Sequence, residues 1–138
     1  MELTIRYFTK SKKGNTYKLA KFISEKINKD ALDITNNLEE EAELLVLVNA
    51  MYAFDIDKNV KDFLKNNKDK IKALVNVSSS ASGKSTYKSV KKVCDELGIK
   101  ILDEEYHTVA SWIFMNKNRP NEADFKRLDE FITNLLNK

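Results

Sequence analysis

Hydrophobic positions along the chain follow two alternating spacings, which predict a regular succession of strands and helices. Short apolar runs rich in β-branched and aromatic residues predict five strands. These runs lie at residues 3–8, 31–34, 44–48, 73–77 and 99–102. Apolar residues at helical spacing predict helices between them. The clearest helical patterns lie at residues 19–27, 60–64, 90–97 and 125–135.

This order of elements predicts an α/β fold. Strands that alternate with helices over the whole chain form a parallel sheet with helices on both faces. Five strands and about five helices fit a single domain over residues 1–138. In such doubly wound sheets, ligands bind beyond the carboxyl ends of the strands. We therefore expect the functional site in three loops, at residues 9–16, 49–57 and 78–86, and we expect the acidic connection at residues 36–43 to be solvated surface.

Composition narrows the class of protein. The 138 residues are 42% hydrophobic and 33% charged, which suits a globular domain and excludes disordered and low-complexity classes. No apolar run approaches the roughly 18 residues of a membrane span, and the first residues do not have the pattern of a signal peptide. We expect a cytoplasmic protein with no membrane contact. The 24 basic residues are interspersed with 21 acidic ones, which argues against a nucleic-acid interface.

The loop after the first predicted strand has the composition of an anion-binding loop. It offers hydroxyl groups, an amide, lysines and one glycine, directly before a helix. Loop N–H groups and the partial positive charge of a helix N-terminus attract phosphate. The candidate phosphate-binding residues are Thr9, Ser11, Lys12, Lys13, Gly14, Asn15 and Thr16. A simple polar turn, with Asn15 or Thr16 capping the helix, is the alternative interpretation.

The order of residues in this loop resembles a known motif. Ser11-x-x-Gly14-x-Thr16-x-x-x-Ala20 is similar to the FMN-phosphate signature of the flavodoxins, in which Ser-x-Thr-Gly-Asn-Thr is typical. The order and length of the elements are also similar to those of a short flavodoxin. The resemblance implies a five-stranded sheet in the order 2-1-3-4-5 and FMN as the cofactor. Lys12 and Lys13 depart from the family, which has small hydroxyl residues there.

A second loop would hold the flavin ring. In flavodoxin-like proteins, an aromatic residue after the third strand stacks on the isoalloxazine, and Tyr52 matches it. The candidate residues here are Ala50, Met51, Tyr52, Ala53 and Phe54. The alternative is that they close the end of the sheet as core. Ala53 stands where the family often has glycine. Its Cβ makes a positive φ costlier, so we expect weak stabilisation of the one-electron-reduced flavin.

The third loop is rich in serine. In the family, this loop wraps the pyrimidine edge of the ring, and hydroxyl groups provide donors and acceptors for that edge. The candidate residues are Ser78, Ser79, Ser80, Ser82 and Gly83.

Other nucleotide-binding motifs fit the chain less well. Gly83-Lys84-Ser85 matches the second half of a Walker A loop, but Ser78 stands at its first glycine. A dinucleotide-binding Gly-x-Gly-x-x-Gly is absent, since the glycines lie only at positions 14, 83 and 98. A receiver domain would have acids after the first strand, where this chain has Thr9-Lys10.

The remaining chemically notable residues give no catalytic or metal site. His107 has no serine or cysteine at a diagnostic spacing, so a structural or surface role is expected. The lone Cys94 is predicted to be an inert core thiol. Trp112 could approach the ring from the side of the fifth strand, or serve at an interface.

The resemblance therefore implies an FMN-binding electron-transfer flavoprotein, which carries one or two electrons between redox partner proteins. Such a carrier needs no catalytic residue, because the flavin performs the electron chemistry. Lysines beside the flavin would raise its potential. Two alternatives remain open: a small flavin-dependent reductase of the NAD(P)H:quinone type, and a flavodoxin-fold binding module without flavin.

Overall fold

A computed structural model describes residues 1–11, 14–111 and 116–138. The strands are β1 (Leu3–Tyr7), β2 (Ala31–Asp33), β3 (Leu44–Ala50), β4 (Leu74–Ser80) and β5 (Ile101–Val109). The helices are α1 (Asn15–Ile27), α2 (Lys58–Asn67), α3 (Tyr87–Leu97) and α4 (Glu122–Leu136). A 3-10 turn at Lys68–Lys70 follows α2. None of the described helices is long and apolar enough to cross a bilayer.

The five strands form one parallel sheet in the order β2-β1-β3-β4-β5. Helices cover both faces. One apolar cluster joins the sheet to α1 and α4, and a second joins it to α2 and α3. The central strand β3 is buried from Leu44 to Asn49, as its unbroken apolar run predicts. The predicted fold class and strand order are confirmed.

Three strands are longer than predicted. β3 includes Asn49 and Ala50, which sequence analysis places in the second loop. β4 runs to Ser80, so the prediction that Ser78, Ser79 and Ser80 lie in a loop is wrong. These serines pair with His107–Val109 of β5, which supplies the order that their low strand propensity does not. β5 has three charged residues after Ile101 and Leu102, as an edge strand can, and its Asp103 and Glu104 are exposed. The described residues form four α-helices, not about five.

The connection at residues 36–43 is not simply solvated surface, as predicted. Leu38 and Ala42 are only 3% and 1% exposed and belong to the core. Buried Arg6 holds the start of this segment: its Nε donates to the carbonyl oxygen of Asn36 at 2.9 Å, and its Nη2 donates to that of Asn37 at 3.3 Å. The side chain of Arg6, on strand β1, therefore provides hydrogen bonds to two backbone carbonyl groups of this connection.

A buried triangle of polar side chains joins β3, β4 and the start of α3. The Asn49 amide donates to Asn76 Oδ1 at 2.8 Å, and the Asn76 amide donates to Thr86 Oγ1 at 3.0 Å. The Thr86 hydroxyl closes the triangle by donating to Asn49 Oδ1 at 2.6 Å. All three residues are fully buried. Loss of Thr86 would leave Asn49 Oδ1 and the Asn76 amide without their partners in the core, which is costly for buried polar groups.

Thr86→Val should destabilise the protein by about 2–4 kcal/mol, because it leaves an amide donor and an amide acceptor buried without partners. The measurement is urea-induced unfolding. Thr86→Ser is the matched control, since it keeps the hydroxyl and should lose only about 1 kcal/mol. Equal losses in the two variants would show that the methyl group matters and the triangle does not.

Asp124 anchors the beginning of α4. Its backbone N–H is capped by the Asn121 side chain, and its carboxylate accepts from Arg119 at 2.8 and 3.0 Å and from Arg127 at 2.6 Å. The side chain of Asp124 is 3% exposed. The Arg119 guanidinium, with help from Arg127 and the Asn121 N–H, holds the pKa of this carboxyl well below its usual range.

Asp124→Asn should cost about 2 kcal/mol at neutral pH, the scale of hydrogen bonds to a charged group. Because the pKa of Asp124 is lowered in the folded state, its contribution is full above the unfolded carboxyl pKa of about 4 and declines as the pH falls below it. The difference between the two proteins in urea unfolding should therefore shrink in acid. Asp95→Asn, at an exposed ion pair, should change stability by less than about 0.5 kcal/mol.

Candidate functional site

A cleft of about 600 Å³ opens at the carboxyl edge of the sheet. The loops that follow β1, β3 and β4 form its walls, together with the residues just after β5. Its lining comprises Thr9, Lys10, Ser11, Gly14, Asn15, Thr16, Ala50, Met51, Tyr52, Ala53, Ser79, Ser80, Ala81, Ala110 and Ser111. The three loops in which sequence analysis placed the site thus meet in one place.

At one end of the cleft, helix α1 begins without a side-chain cap. Its N-cap residue is Gly14, so neither Asn15 nor Thr16 caps the helix as the alternative interpretation required. The N–H groups of Asn15, Thr16 and Tyr17 find no acceptor within the described part of the chain. The Thr16 residue is 3% exposed, and no described side chain or carbonyl pairs with its hydroxyl. This end of the cleft presents donors and a helix dipole to an anion.

Gly14 is required by the close path of this loop. A Cβ at position 14 would lie 3.0 Å from both Ser11 Cβ and Thr9 Oγ1. The loop is closed by two internal bonds to the carbonyl oxygen of Ser11, from Gly14 N–H at 3.1 Å and from the Thr9 hydroxyl at 2.8 Å. The Thr9 proton is therefore used within the loop, and the Thr16 hydroxyl remains as a donor.

Asn15 joins this loop to the far side of the cleft. Its amide donates to the carbonyl oxygen and hydroxyl of Ser111, at 3.0 and 3.1 Å. Sequence analysis missed Ala110 and Ser111, whereas Lys10 and Ala81 lie within predicted loops without being candidate site residues. The missed signal for Ala110 and Ser111 is the β-forming stretch Tyr106–Val109, which places the end of β5 at the same edge of the sheet.

Tyr52 lies in the cleft wall, in contact with a lysine. The Lys10 ammonium is 4.4 Å from the centre of the Tyr52 ring, and the Lys10 N–H donates to the Tyr52 hydroxyl at 3.3 Å. The edge of the ring meets Phe8, with ring centres 6.2 Å apart. Lys10 also lies 3.8 Å from the Asp57 carboxylate. A cation-π contact thus covers part of the aromatic surface predicted to stack on a flavin.

The loop after β3 contains a tight turn. Tyr52 N–H donates to the Asp55 carbonyl at 2.7 Å, and Asp55 N–H donates back at 3.0 Å. Both central residues have positive φ, 49° at Ala53 and 70° at Phe54. Ala53 thus adopts the left-handed conformation that sequence analysis predicted to be costlier for a residue with a Cβ. The Cβ makes that conformation costlier by roughly 1–2 kcal/mol.

Ala53→Gly should raise the free energy of unfolding by about 0.5–1 kcal/mol, because glycine adopts positive φ freely while its added chain entropy offsets part of the gain. Urea unfolding gives the value. Ala123→Gly, at an exposed position in α4, makes the same chemical change at an ordinary helical φ and should lower stability. A loss of stability in both variants would contradict a strained turn.

Some predicted site residues lie elsewhere. Phe54 is 84% exposed and lies outside the cleft, over a surface depression beside Lys61 and Lys92. Ser78 is fully buried behind the wall, and Ser82 and Gly83 lie beyond the lining. Lys12, Lys13 and Trp112 fall outside the described residues, so their predicted roles stay predictions.

Two further predictions concern His107 and Cys94. His107 is half-buried and lies next to serines that are distant in sequence: its Nδ1 is 3.0 Å from Ser78 Oγ, and its Nε2 is 3.4 Å from Ser80 Oγ. Parallel pairing of β4 with β5 creates these contacts. Burial lowers the pKa of His107, and the Glu105 charge opposes this shift. Cys94 is fully buried, and burial raises the pKa of its thiol to about 12, as expected of an inert core thiol.

A second cavity, of about 690 Å³, lies beside β2 and has a different chemistry. Aromatic rings and amides line it, together with the carboxylates of Asp33 and Asp62, and no described lysine or arginine is present. Two carboxylates repel a phosphate, so the smaller cleft is the candidate anion site.

Comparison with known proteins agrees with this architecture. No family model matches the chain. The uncharacterized protein MJ0298 of Methanocaldococcus jannaschii is 33% identical, over 88% of this chain and 90% of its own length. Oxidised flavodoxin 1 from Bacillus cereus superposes with a TM-score of 0.71 at 16% identity, covering 99% of this chain and 98% of its own. A flavodoxin from the domain Archaea superposes with a TM-score of 0.68 at 13% identity, over 94% and 92%. The chain therefore belongs to the same family as MJ0298, and its fold is that of the flavodoxins.

Proposed function

We propose that this protein binds FMN in the cleft and carries one or two electrons between redox partner proteins in the cytoplasm. The observation that carries the proposal is the uncapped start of α1, where three N–H groups and the Thr16 hydroxyl lie without described partners. A phosphate dianion can accept from all of these donors and gains from the helix dipole. The flavodoxin structures that share this fold support the choice of a flavin.

The rest of the cleft suits a flat, largely apolar ring. Met51, Tyr52, Ala81 and Ala110 provide apolar surface, while Ser79 and Ser80 add polar groups. Offset stacking on an aromatic ring contributes about 0.5–1.5 kcal/mol beyond burial. FMN supplies the electron chemistry when bound, and the chain binds and orients it.

Lys10 sets the charge at the ring end of the cleft. Its ammonium lies over Tyr52 and is partly balanced by Asp57 at 3.8 Å. A cation there favours a reduced, more negative occupant and so raises the reduction potential. With an overall charge of +3, the protein suits redox partners that are acidic.

Titration of the protein with riboflavin, FMN and FAD tests the proposal, with flavin absorbance and fluorescence as signals. FMN should bind more tightly than riboflavin, because riboflavin lacks the phosphate. Thr16→Val should weaken FMN binding by about tenfold, the loss of roughly one hydrogen bond to a charged group, and should leave riboflavin binding unchanged.

Thr133→Val is the matched control. It removes a hydroxyl that bonds to the Asp129 carbonyl within α4, away from the cleft, and should not change the affinity for FMN. Equal affinities for FMN and riboflavin in the unmodified protein would show that the phosphate is not recognised and would contradict the proposed function.

A second candidate is a binding module of the same fold without flavin. The observation that favours it is the cation-π contact of Lys10 with Tyr52, which occupies ring surface that a flavin would use. Under this alternative, inorganic phosphate or a phosphorylated ligand would bind at α1 while all three flavins fail to bind. A stand-alone reductase, by contrast, would oxidise NAD(P)H once loaded with FMN.

A further inference from the structure

A hydrogen-bonded group of polar side chains lies behind the wall of the cleft. His107 is at its centre, between Ser78 on Nδ1 and Ser80 on Nε2. Ser78 Oγ lies 3.4 Å from Ser85 Oγ, and the Ser85 hydroxyl donates to the Glu105 carboxylate. A continuous path thus leads from Ser80, which lines the cleft, to a half-exposed carboxylate.

Both nitrogens of His107 face hydroxyl groups, and this permits a change of charge. A hydroxyl can donate or accept, whereas a carbonyl can only accept. With a neutral ring, Nε2–H donates to Ser80 and Nδ1 accepts from Ser78. With a charged ring, Nδ1–H donates to Ser78, Ser78 donates to Ser85, and Ser85 donates to Glu105. Neither state leaves a ring nitrogen without a partner.

Burial has the largest effect on His107 and lowers its pKa, while the surrounding groups act in both directions. Glu105 on the same strand favours the charged ring, and so do the backbone groups of Ser78 and Gly83. Burial favours the neutral ring, and Arg127 of α4 acts in the same direction. Among the described side chains of β4 and of the loop before α3, those that hydrogen-bond to the His107 ring are serine hydroxyls.

We propose that His107 binds one proton at Nδ1 when the group held in the cleft gains electrons, so that electron uptake and proton uptake are coupled. The inference rests on the proposed FMN function. Two electrons from a redox partner protein remain in the cleft, and one proton from solvent, arriving from the side of Glu105, remains on the imidazole. No other bond of His107 forms or breaks. His107 is a proton-binding residue one hydrogen bond from the cleft wall and contacts no substrate.

Nuclear magnetic resonance gives a direct test, because His107 is the single histidine of the chain and its imidazole signal needs no assignment. The signal is titrated with pH in the FMN-loaded protein, oxidised and then reduced. Added negative charge in the cleft favours the imidazolium, so the pKa of His107 should rise by about one unit or more on reduction. This is a tenfold or greater increase in proton affinity.

The reciprocal effect is measured on the flavin. Between the two pKa values of His107, the midpoint potential of the unmodified protein should fall more steeply with pH than that of His107→Gln. Glutamine keeps a donor and an acceptor but cannot take a proton. If this variant does not fold, the imidazole titration of the unmodified protein still shows whether the pKa of His107 changes on reduction.

Two variants of β5 separate the path from general surface charge. Glu105→Gln should lower the pKa of His107 in both redox states, whereas Glu104→Gln removes the same charge from the opposite face of the strand and should leave that pKa unchanged. An identical pKa in oxidised and reduced protein would overturn the inference alone. Failure to bind FMN in the flavin titration would overturn the proposed function, and this inference with it.

Discussion

The mutual hydrogen bonding of Asn49, Asn76 and Thr86 is the constraint on which the carboxyl edge of the sheet depends. A purely apolar interface between β3, β4 and α3 would permit small shifts of one element past another, because hydrophobic contact has no direction. Three buried polar groups that satisfy one another allow a single arrangement. Asn49 is next to the last residue of β3, and Thr86 ends the loop between β4 and α3, so the triangle fixes one end of each of these two loops.

Polar groups at the cleft are less completely hydrogen-bonded than those of the Asn49–Asn76–Thr86 triangle. A helix that begins on glycine lacks the stabilisation of a side-chain cap, a loss of a few tenths of a kcal/mol. The turn at Ala53 and Phe54 adds a larger strain, roughly 1–2 kcal/mol per residue. Both features lie at the rim of one cavity, and neither is needed to close the core. Energetically costly local conformations of this kind are concentrated at sites where backbone groups and donors bind a ligand.

Most of the architecture was predictable from the sequence because most strands and helices have a hydrophobic periodicity of their own. The apolar run of β3 and the helical spacing of Leu19 and Ile23 in α1 depend on nothing beyond local residues and burial. The end of β4 and most of β5 were not predictable in this way. Ser78–Ser80 extend β4 because they pair with His107–Val109, and a pairing between residues almost thirty positions apart leaves no local pattern in the serines. The contacts of His107 were hidden for the same reason. The first and second loops could be assigned to the site, since they follow strands with clear patterns, whereas Ser111 became visible only with the true end of β5.

The two edges of the sheet differ in how they are protected. β2 has three residues, too few to offer a template for another strand. β5 has nine, with carboxylates at Asp103, Glu104 and Glu105. A second chain that approached this edge with its own acids would meet repulsion before its backbone could pair. The charged residues that obscure the strand pattern of β5 in the sequence thus oppose edge-to-edge aggregation of the protein.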